Sequence, residues 1–320
     1  MSGALVQIGA GPRGFSHRRL PPHCVRRGRV DPEVEAVQRR LRRSGLHSVC
    51  EQARCPNRSE CWSRRHVAFM LLGSVCTRAC RFCAVATGRP PSGPDPEEPE
   101  NVARLAAELG LAHVVLTSVD RDDLADGGAA QFAATVRAIR ARRPEASVEV
   151  LTPDFRGDLG AVATVCGSEP DVYNHNVETV PRLYRRARPG AAYARSLAVL
   201  AEAKRLRRGS LVKSGLMVGL GETPDEVVDL LRALRGAGVD AVTIGQYLRP
   251  TRRHLSVERY WEPAEFGALA GVARDLGFAH VACGPLVRSS FGADETFAAA
   301  RARRGASEAE AGRDGTGVAP

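Results

Sequence analysis

From Ala68 to Cys283 the sequence alternates between two hydrophobic periods, and this constrains the fold more than any other feature. The apolar run Ala68 to Leu72 opens the series. Helical patterns at 99–109, 128–142, 157–166, 193–207, 223–236 and 263–276 then interleave with strand-like segments at 113–118, 147–151, 171–177, 211–219, 241–247 and near 280–283. Strands such as HVVLTSV and AVTIGQY are almost continuously apolar, as parallel strands covered by helices must be, so the chain reads as α/β. A doubly wound sheet and a barrel both satisfy that pattern. No G-x-G-x-x-G follows the first strand, whereas Thr117, Ser118, Asn174, Asn176, Glu178, Gly219 and Gln246 recur at or just beyond strand C-termini. Barrels assemble their active sites at those ends, and a full or partial barrel is therefore the expectation.

Cysteine spacing carries the chemistry. Six of the nine cysteines fall between Cys50 and Cys83, while Cys24, Cys166 and Cys283 are scattered and read as small buried or free thiols. CTRACRFC sets Cys76, Cys80 and Cys83 in C-x3-C-x2-C directly after the first apolar run. Three thiolates in one loop can hold a four-iron cluster and leave one iron open for a ligand. CEQARCPNRSEC sets Cys50, Cys55 and Cys61 in C-x4-C-x5-C, a second triad and a second centre. A closed zinc site normally takes four ligands. Zinc stays open for the second triad, because Glu51 and Glu60 could also ligate.

The net charge of +10 admits a nucleic acid, an anionic surface or an acidic protein as partner. Aromatics are only 5% and no nucleic-acid motif stands out, so the acidic protein is preferred and no nucleic acid is expected. No apolar stretch approaches the roughly 20 residues that cross a bilayer. The first 30 residues hold six arginines with no acid before Asp31, but Pro12, Pro21 and Pro22 break any amphipathic helix there. A basic arm is preferred over a targeting segment, with the cytoplasm as the expected compartment.

Taken together the motifs resemble a known family. CTRACRFC after a strand is similar to the radical S-adenosylmethionine signature, and the upstream C-x4-C-x5-C resembles the auxiliary-cluster motif of the lipoyl synthases. VLTSVDRDDLADGGAAQF, HNVETVPRLYRRARPGAAY, KSGLMVGLGET, TIGQYLRPT and GPLVRSSF extend the likeness over roughly residues 45 to 295. The resemblance implies a partial (β/α)6 TIM-like barrel of the radical SAM type with N-terminal and C-terminal extensions. Residues 1–45 would form a basic extension with an amphipathic helix, 46–66 the auxiliary-cluster motif, 67–285 the barrel, 286–300 a serine-ligand segment and 301–320 a disordered tail.

It further implies two 4Fe-4S clusters and S-adenosyl-L-methionine as cofactors. Cys76, Cys80 and Cys83 match the cluster that binds and splits S-adenosylmethionine; Cys50, Cys55 and Cys61 with Ser290 of RSSF match the auxiliary cluster. The implied reaction inserts two sulfur atoms, drawn from the auxiliary cluster, at carbons six and eight of an octanoyl-lysine. Implied partners are octanoylated lipoyl carrier domains, on 2-oxoacid dehydrogenase acyltransferase subunits and the glycine cleavage H protein, and an electron donor such as ferredoxin or flavodoxin. Thr117, Ser118, Asn176 and Glu178 are the expected S-adenosylmethionine contacts. A helix cap is the alternative use of Ser118 and Asp122, and a plain strand-to-helix turn is the alternative to adenine contact for Gly219 and Gly221. His47 and His175 are expected to be structural, because hydrogen removal by a radical requires no histidine base. Arg65, His66 and Val67 replace the small or hydroxyl residues of the family pattern, Ala84 replaces an Asp and Phe291 a Tyr. Another radical sulfur-insertion enzyme and a zinc-containing nucleic-acid binder are the competing readings.

Overall fold

The computed structural model describes residues 20–26, 31–207, 209–300 and 302. The expected tail 301–320 and the arm before Leu20 therefore fall outside the described residues, save for residue 302. In chain order the strands are β1 (His47–Ser48), β2 (Ala68–Leu71), β3 (Val75–Cys76), β4 (Ala86–Thr87), β5 (His113–Ser118), β6 (Ser147–Leu151), β7 (Val172–Asn174), β8 (Leu211–Val218), β9 (Ala241–Gln246) and β10 (His280–Gly284). The helices are α1 (Pro32–Arg43), α2 (Val49–Gln52), α3 (Arg58–Ser63), α4 (Glu98–Glu108), α5 (Ala129–Arg142), α6 (Leu159–Cys166), α7 (Tyr184–Ala187), α8 (Tyr193–Leu206), α9 (Pro224–Gly236) and α10 (Pro263–Asp275).

Eight strands make one sheet in the order β1-β2-β5-β6-β7-β8-β9-β10. From β2 to β10 every pairing is parallel and the order follows the chain without reversal, which a doubly wound sheet with its switch point does not do. Only β1 is antiparallel, on β2, and among the described residues no hydrogen bond joins β1 to β10. This is the expected partial barrel, left open along one side. Local chemistry places its helices. Thr223 caps α9 in a reciprocal box with Glu226 and Pro224 occupies the first turn; Asp158 caps α6 by accepting from Gly160 and Ala161. Buried faces such as Val102, Leu105 and Ala106 of α4 and Val227, Leu230, Leu231 and Leu234 of α9 seal the apolar strands.

The strand expected over 171–177 is regular only to Asn174. Asn174 pairs with Lys213, and the next bridge joins Glu178 to Leu216, so one side spends four residues where the other spends three. The extra residue is a bulge, with Glu178 at φ +65°, and bulges re-aim side chains beside functional sites. Inward positions of the barrel rise from a polar floor to a cavity. On the floor Lys213 Nζ lies 3.0 and 3.1 Å from the two carboxylate oxygens of Glu149, which also accepts from Asn174 at 2.8 Å. Residues 293–300 are helical and cover that floor: Phe297 stacks on His113 at 5.7 Å, and Ala300 packs with Val172 and Leu211.

Candidate functional site

At the strand C-termini the barrel opens into a cavity of about 480 Å3. Its wall carries Cys76, Cys80 and Cys83 from the β3–β4 region and Cys50 and Cys55 from α2 and the turn after it. Thr117, Ser118, Asn176 and Glu178 share that wall, with Ser289 and Ser290 from the C-terminal segment. Of the expected site residues only Cys61 stands behind the wall. It faces Cys50 and Cys55 closely enough for their charges to act on it.

The loop of the first triad is fastened at many points. Thr77 donates through its backbone and hydroxyl to Asp120 O, Arg81 N donates to Ala187 O, and the Cys83 carbonyl lies 2.9 Å from His254 Nε2. Arg78, buried between Cys76 and Cys80, reaches Asp122 at 2.7 and 2.8 Å, Asp154 at 2.7 Å and Asp120 at 3.3 Å. Spacing gave no hint of this role. The signal available was an arginine inside the cysteine motif and the acid-rich DRDD after β5.

Burial governs the thiols. It pushes Cys80 up to about 12, against the nearby Arg188, and Cys83 up to about 11. Burial likewise pushes Cys61 up to about 12 with help from Cys50 and Cys55, and raises Cys55 and Cys76, the latter also because Asp120 lies beside it. Without a bound cation these five thiols therefore hold their protons at neutral pH, and a metal centre must displace them to bind. Among the described residues no group of three His, Cys, Asp or Glu side chains could hold a single metal ion. Two triads of soft sulfur donors are the donor set that iron–sulfur groups take.

The polar wall is unfinished in a way that suits a polar ligand. Ser118 Oγ and Asn176 Oδ1 are buried and have no protein partner among the described residues. Asn176 Nδ2 donates to Glu178 at 3.1 Å and to Ser289 at 2.6 Å. Burial raises Glu178, opposed first by Arg188, whose guanidinium donates to Asn176 O at 2.9 Å. The two serines of RSSF thus part: Ser289 belongs to the Asn176 network, whereas Ser290 makes no side-chain hydrogen bond among the described residues. The segment can lie this deep because Gly215 and Gly245 lack Cβ atoms. A Cβ on Gly215 would meet Thr243 Oγ1 at 2.6 Å, Asn176 Oδ1 at 2.7 Å and Ser289 Oγ at 2.9 Å.

Several alternatives resolve. Neither Ser118 nor Asp122 caps a helix; Gly128 is the N-cap of α5, Asp126 before it accepts from Gly128 N and Ala130 N, and Asp122 binds Arg78. Gly219 is a strand-to-helix turn residue at φ +102°, packed under Gln246 and outside the cavity wall. His175 is structural: it contacts Thr152 O at 2.9 Å and Ser196 Oγ at 3.0 Å, and burial lowers it to about 4. The departures from the family pattern have partners of their own. Arg65 Nε lies 3.1 Å from Glu33, His66 Nε2 lies 3.3 Å from Asp294 in the C-terminal segment, and Arg26 stacks over Phe291 at 5.5 Å. Cys24 and Cys166 are buried, and Cys283 is half-buried.

The radical SAM superfamily model matches residues 70–234. A lipoyl synthase of Methylococcus capsulatus is 59% identical over 275 residues, covering 86% of this chain and 85% of that one. A lipoyl synthase of Thermus thermophilus is 49% identical over 312 residues, covering 94% and 96%. Among solved structures, methylornithine synthase superposes with a TM-score of 0.52 at 16% identity over 67% of this chain and 69% of its own. The hydrogenase maturase HydG gives 0.51 at 13% identity, over 68% and 56%. At those identities the structural likeness speaks for the fold.

Proposed function

This chain belongs to the lipoyl synthase family of radical S-adenosylmethionine enzymes, and on that premise we propose how the cavity at the strand C-termini divides the work. The family is a sulfurtransferase family with a lipoyl carrier as substrate, two 4Fe-4S clusters and S-adenosylmethionine. When bound, these groups supply one-electron cleavage of S-adenosylmethionine, hydrogen abstraction at carbons six and eight of the octanoyl chain, and the two sulfur atoms.

Cys76, Cys80 and Cys83 hold the first cluster in a loop that Arg78 and His254 keep in one conformation. Ser118, Asn176 and Glu178, with Thr117, receive S-adenosylmethionine: hydroxyl and amide groups without protein partners are already paid for in desolvation and gain fully from a ligand. Cys50, Cys55, Cys61 and Ser290 hold the auxiliary cluster. Ser290 suits a sacrificial cluster, because a harder oxygen donor is released more readily than a fourth thiolate. The observation that carries this division is the shared cavity wall, where Cys76, Cys80 and Cys83 meet Cys50, Cys55 and Ser290, with the Ser118 hydroxyl and the Asn176 amide oxygen unpartnered among the described residues.

The carriers are octanoylated acyltransferase subunits of 2-oxoacid dehydrogenases and the glycine cleavage H protein, and ferredoxin or flavodoxin supplies electrons. The compartment is the cytoplasm, whose reducing conditions keep thiols available for clusters; among the described residues no helix is long and apolar enough to cross a membrane. The test is anaerobic reconstitution followed by S-adenosylmethionine, reductant and an octanoyl-lysyl peptide. About eight irons per chain, 5′-deoxyadenosine and thiolated peptide are expected. Full iron with neither product would refute the reading. Ser290→Cys should keep the iron and slow turnover, and undiminished activity would remove the serine from its role.

A further inference from the structure

We propose that the rim of the cavity is a docking surface for an acidic protein domain, with Arg54, Arg81, Arg252 and Arg253 as its contacts. The proposal rests on the reading that the cavity receives an acyl-lysine borne by a protein. Arg54 is exposed and reaches the cavity wall from a left-handed backbone position at φ +52°. Arg81 is exposed within the cysteine loop itself. Arg252 and Arg253 are exposed on the loop 249–255, whose base, at Arg249 and Pro250, also lines the cavity.

That loop is built rather than slack. Arg249 Nε donates to His254 O at 2.9 Å, and Thr251 Oγ1 lies 2.8 Å from His254 Nδ1. Its outer end is tied to the cysteine loop by His254 Nε2 at 2.9 Å from Cys83 O and by Leu255 N donating to Arg81 O at 3.0 Å. The arginines at 252 and 253 are thereby held beside the mouth at little further entropic cost on binding.

Among exposed arginines elsewhere, Arg39, Arg104, Arg182 and Arg205 have carboxylate partners, whereas Arg42, Arg137, Arg185 and Arg274 are exposed without one and lie off the cavity wall; the rim differs in gathering four such arginines at one opening. None of the four rim arginines has a carboxylate partner among the described residues. Unpaired guanidiniums around a concave opening focus a positive potential on it and steer an oppositely charged partner. A nucleic acid would want exposed rings to stack on and a membrane would want an apolar wedge. Among the described residues the exposed large hydrophobics are Leu20, Val25 and Leu159, none of them aromatic and none on the cavity wall. An acidic folded domain is the occupant these features favour.

The test compares two substrates on the reconstituted holoenzyme: an octanoylated carrier domain with an acidic surface, and an octanoyl-lysyl tripeptide. For Arg252→Glu/Arg253→Glu the KM for the domain should rise about tenfold, while turnover of the tripeptide stays within about twofold. The charge-keeping Arg252→Lys/Arg253→Lys should hold the wild-type KM for the domain. An unchanged KM for the domain, or an equal loss on both substrates, overturns the docking surface. So does inhibition by duplex DNA that the double Glu variant abolishes, which would give the rim to nucleic acid. Failure of the wild-type enzyme on both substrates would overturn the functional reading instead.

Discussion

Replacing Arg78 with methionine should loosen the cysteine loop without touching a cysteine. The guanidinium makes a two-pronged contact with Asp122 at 2.7 and 2.8 Å and reaches Asp154 at 2.7 Å and Asp120 at 3.3 Å. Removing one partner from a buried ionic cluster costs about 3–5 kcal/mol, because the remaining charges stay buried and unpaired. The low end applies here, since Asp122 is 31% exposed and Asp154 keeps Arg195 at 3.2 Å. About 3 kcal/mol is roughly two decades in the balance between the fastened and loose loop. Iron bound by the Cys76–Cys83 set should be read in a background with Cys50, Cys55 and Cys61 replaced by alanine. There the parent should hold about four irons per chain. Arg78→Met should hold less than half as much, and Arg78→Lys should fall between, because lysine keeps the charge but not the fork. Undiminished iron in Arg78→Met, with undiminished 5′-deoxyadenosine formation when the upstream cysteines are restored, would refute the reasoning.

Three further outcomes follow from the same geometry. Lys213→Met should lower stability by about 3–5 kcal/mol in urea denaturation followed by tryptophan fluorescence, whereas Glu149→Leu/Lys213→Met should recover most of it; equal losses would sink the buried-pair account. Burial alone would push Glu149 up, yet Lys213, His113 and Asn174 together bring it from 4.5 down to about 2. Its contribution to stability is therefore complete above about pH 4.5 and lost as pH falls through about 2, so the parent should lose more stability than the double variant across that window; parallel curves would contradict it. Gly245→Ala places a methyl group onto the carbonyl oxygen of Val287, so it should displace the RSSF segment and lower auxiliary iron while sparing the first cluster. Equal loss from both clusters would show general unfolding instead.

The two triads and the strand–helix alternation were legible in the sequence because both are local. Cysteine spacing is read directly from the chain, and strands buried on both faces leave continuous apolar runs of a kind that helices on a sheet must cover. Thr117, Ser118, Asn176 and Glu178 could be named from their places after strands, since a barrel brings all such ends to one mouth. Arg78, Arg188 and the Lys213–Glu149 pair could not. A buried charge is tolerable only beside its partner, and those partners lie 44, 76, 10 and 64 positions away in the cases of Asp122, Asp154, Glu178 and Glu149. The bulge between Asn174 and Glu178 was likewise hidden, because it is defined by register against β8.

The sequence by itself determined two triads of thiols in short spacings, whose resemblance to the lipoyl synthases implies the cofactors, and the α/β alternation that supports them. Only the tertiary structure decided that Cys50 and Cys55 share one cavity wall with Cys76, Cys80 and Cys83, that Ser289 turns to Asn176 while Ser290 has no side-chain hydrogen bond among the described residues, and that four arginines without a carboxylate partner among those residues surround the mouth. The physical reason is distance. Ligand type and spacing are properties of a few neighbouring residues, whereas burial, charge pairing and the facing of two serines depend on chain segments that meet only when the barrel is built.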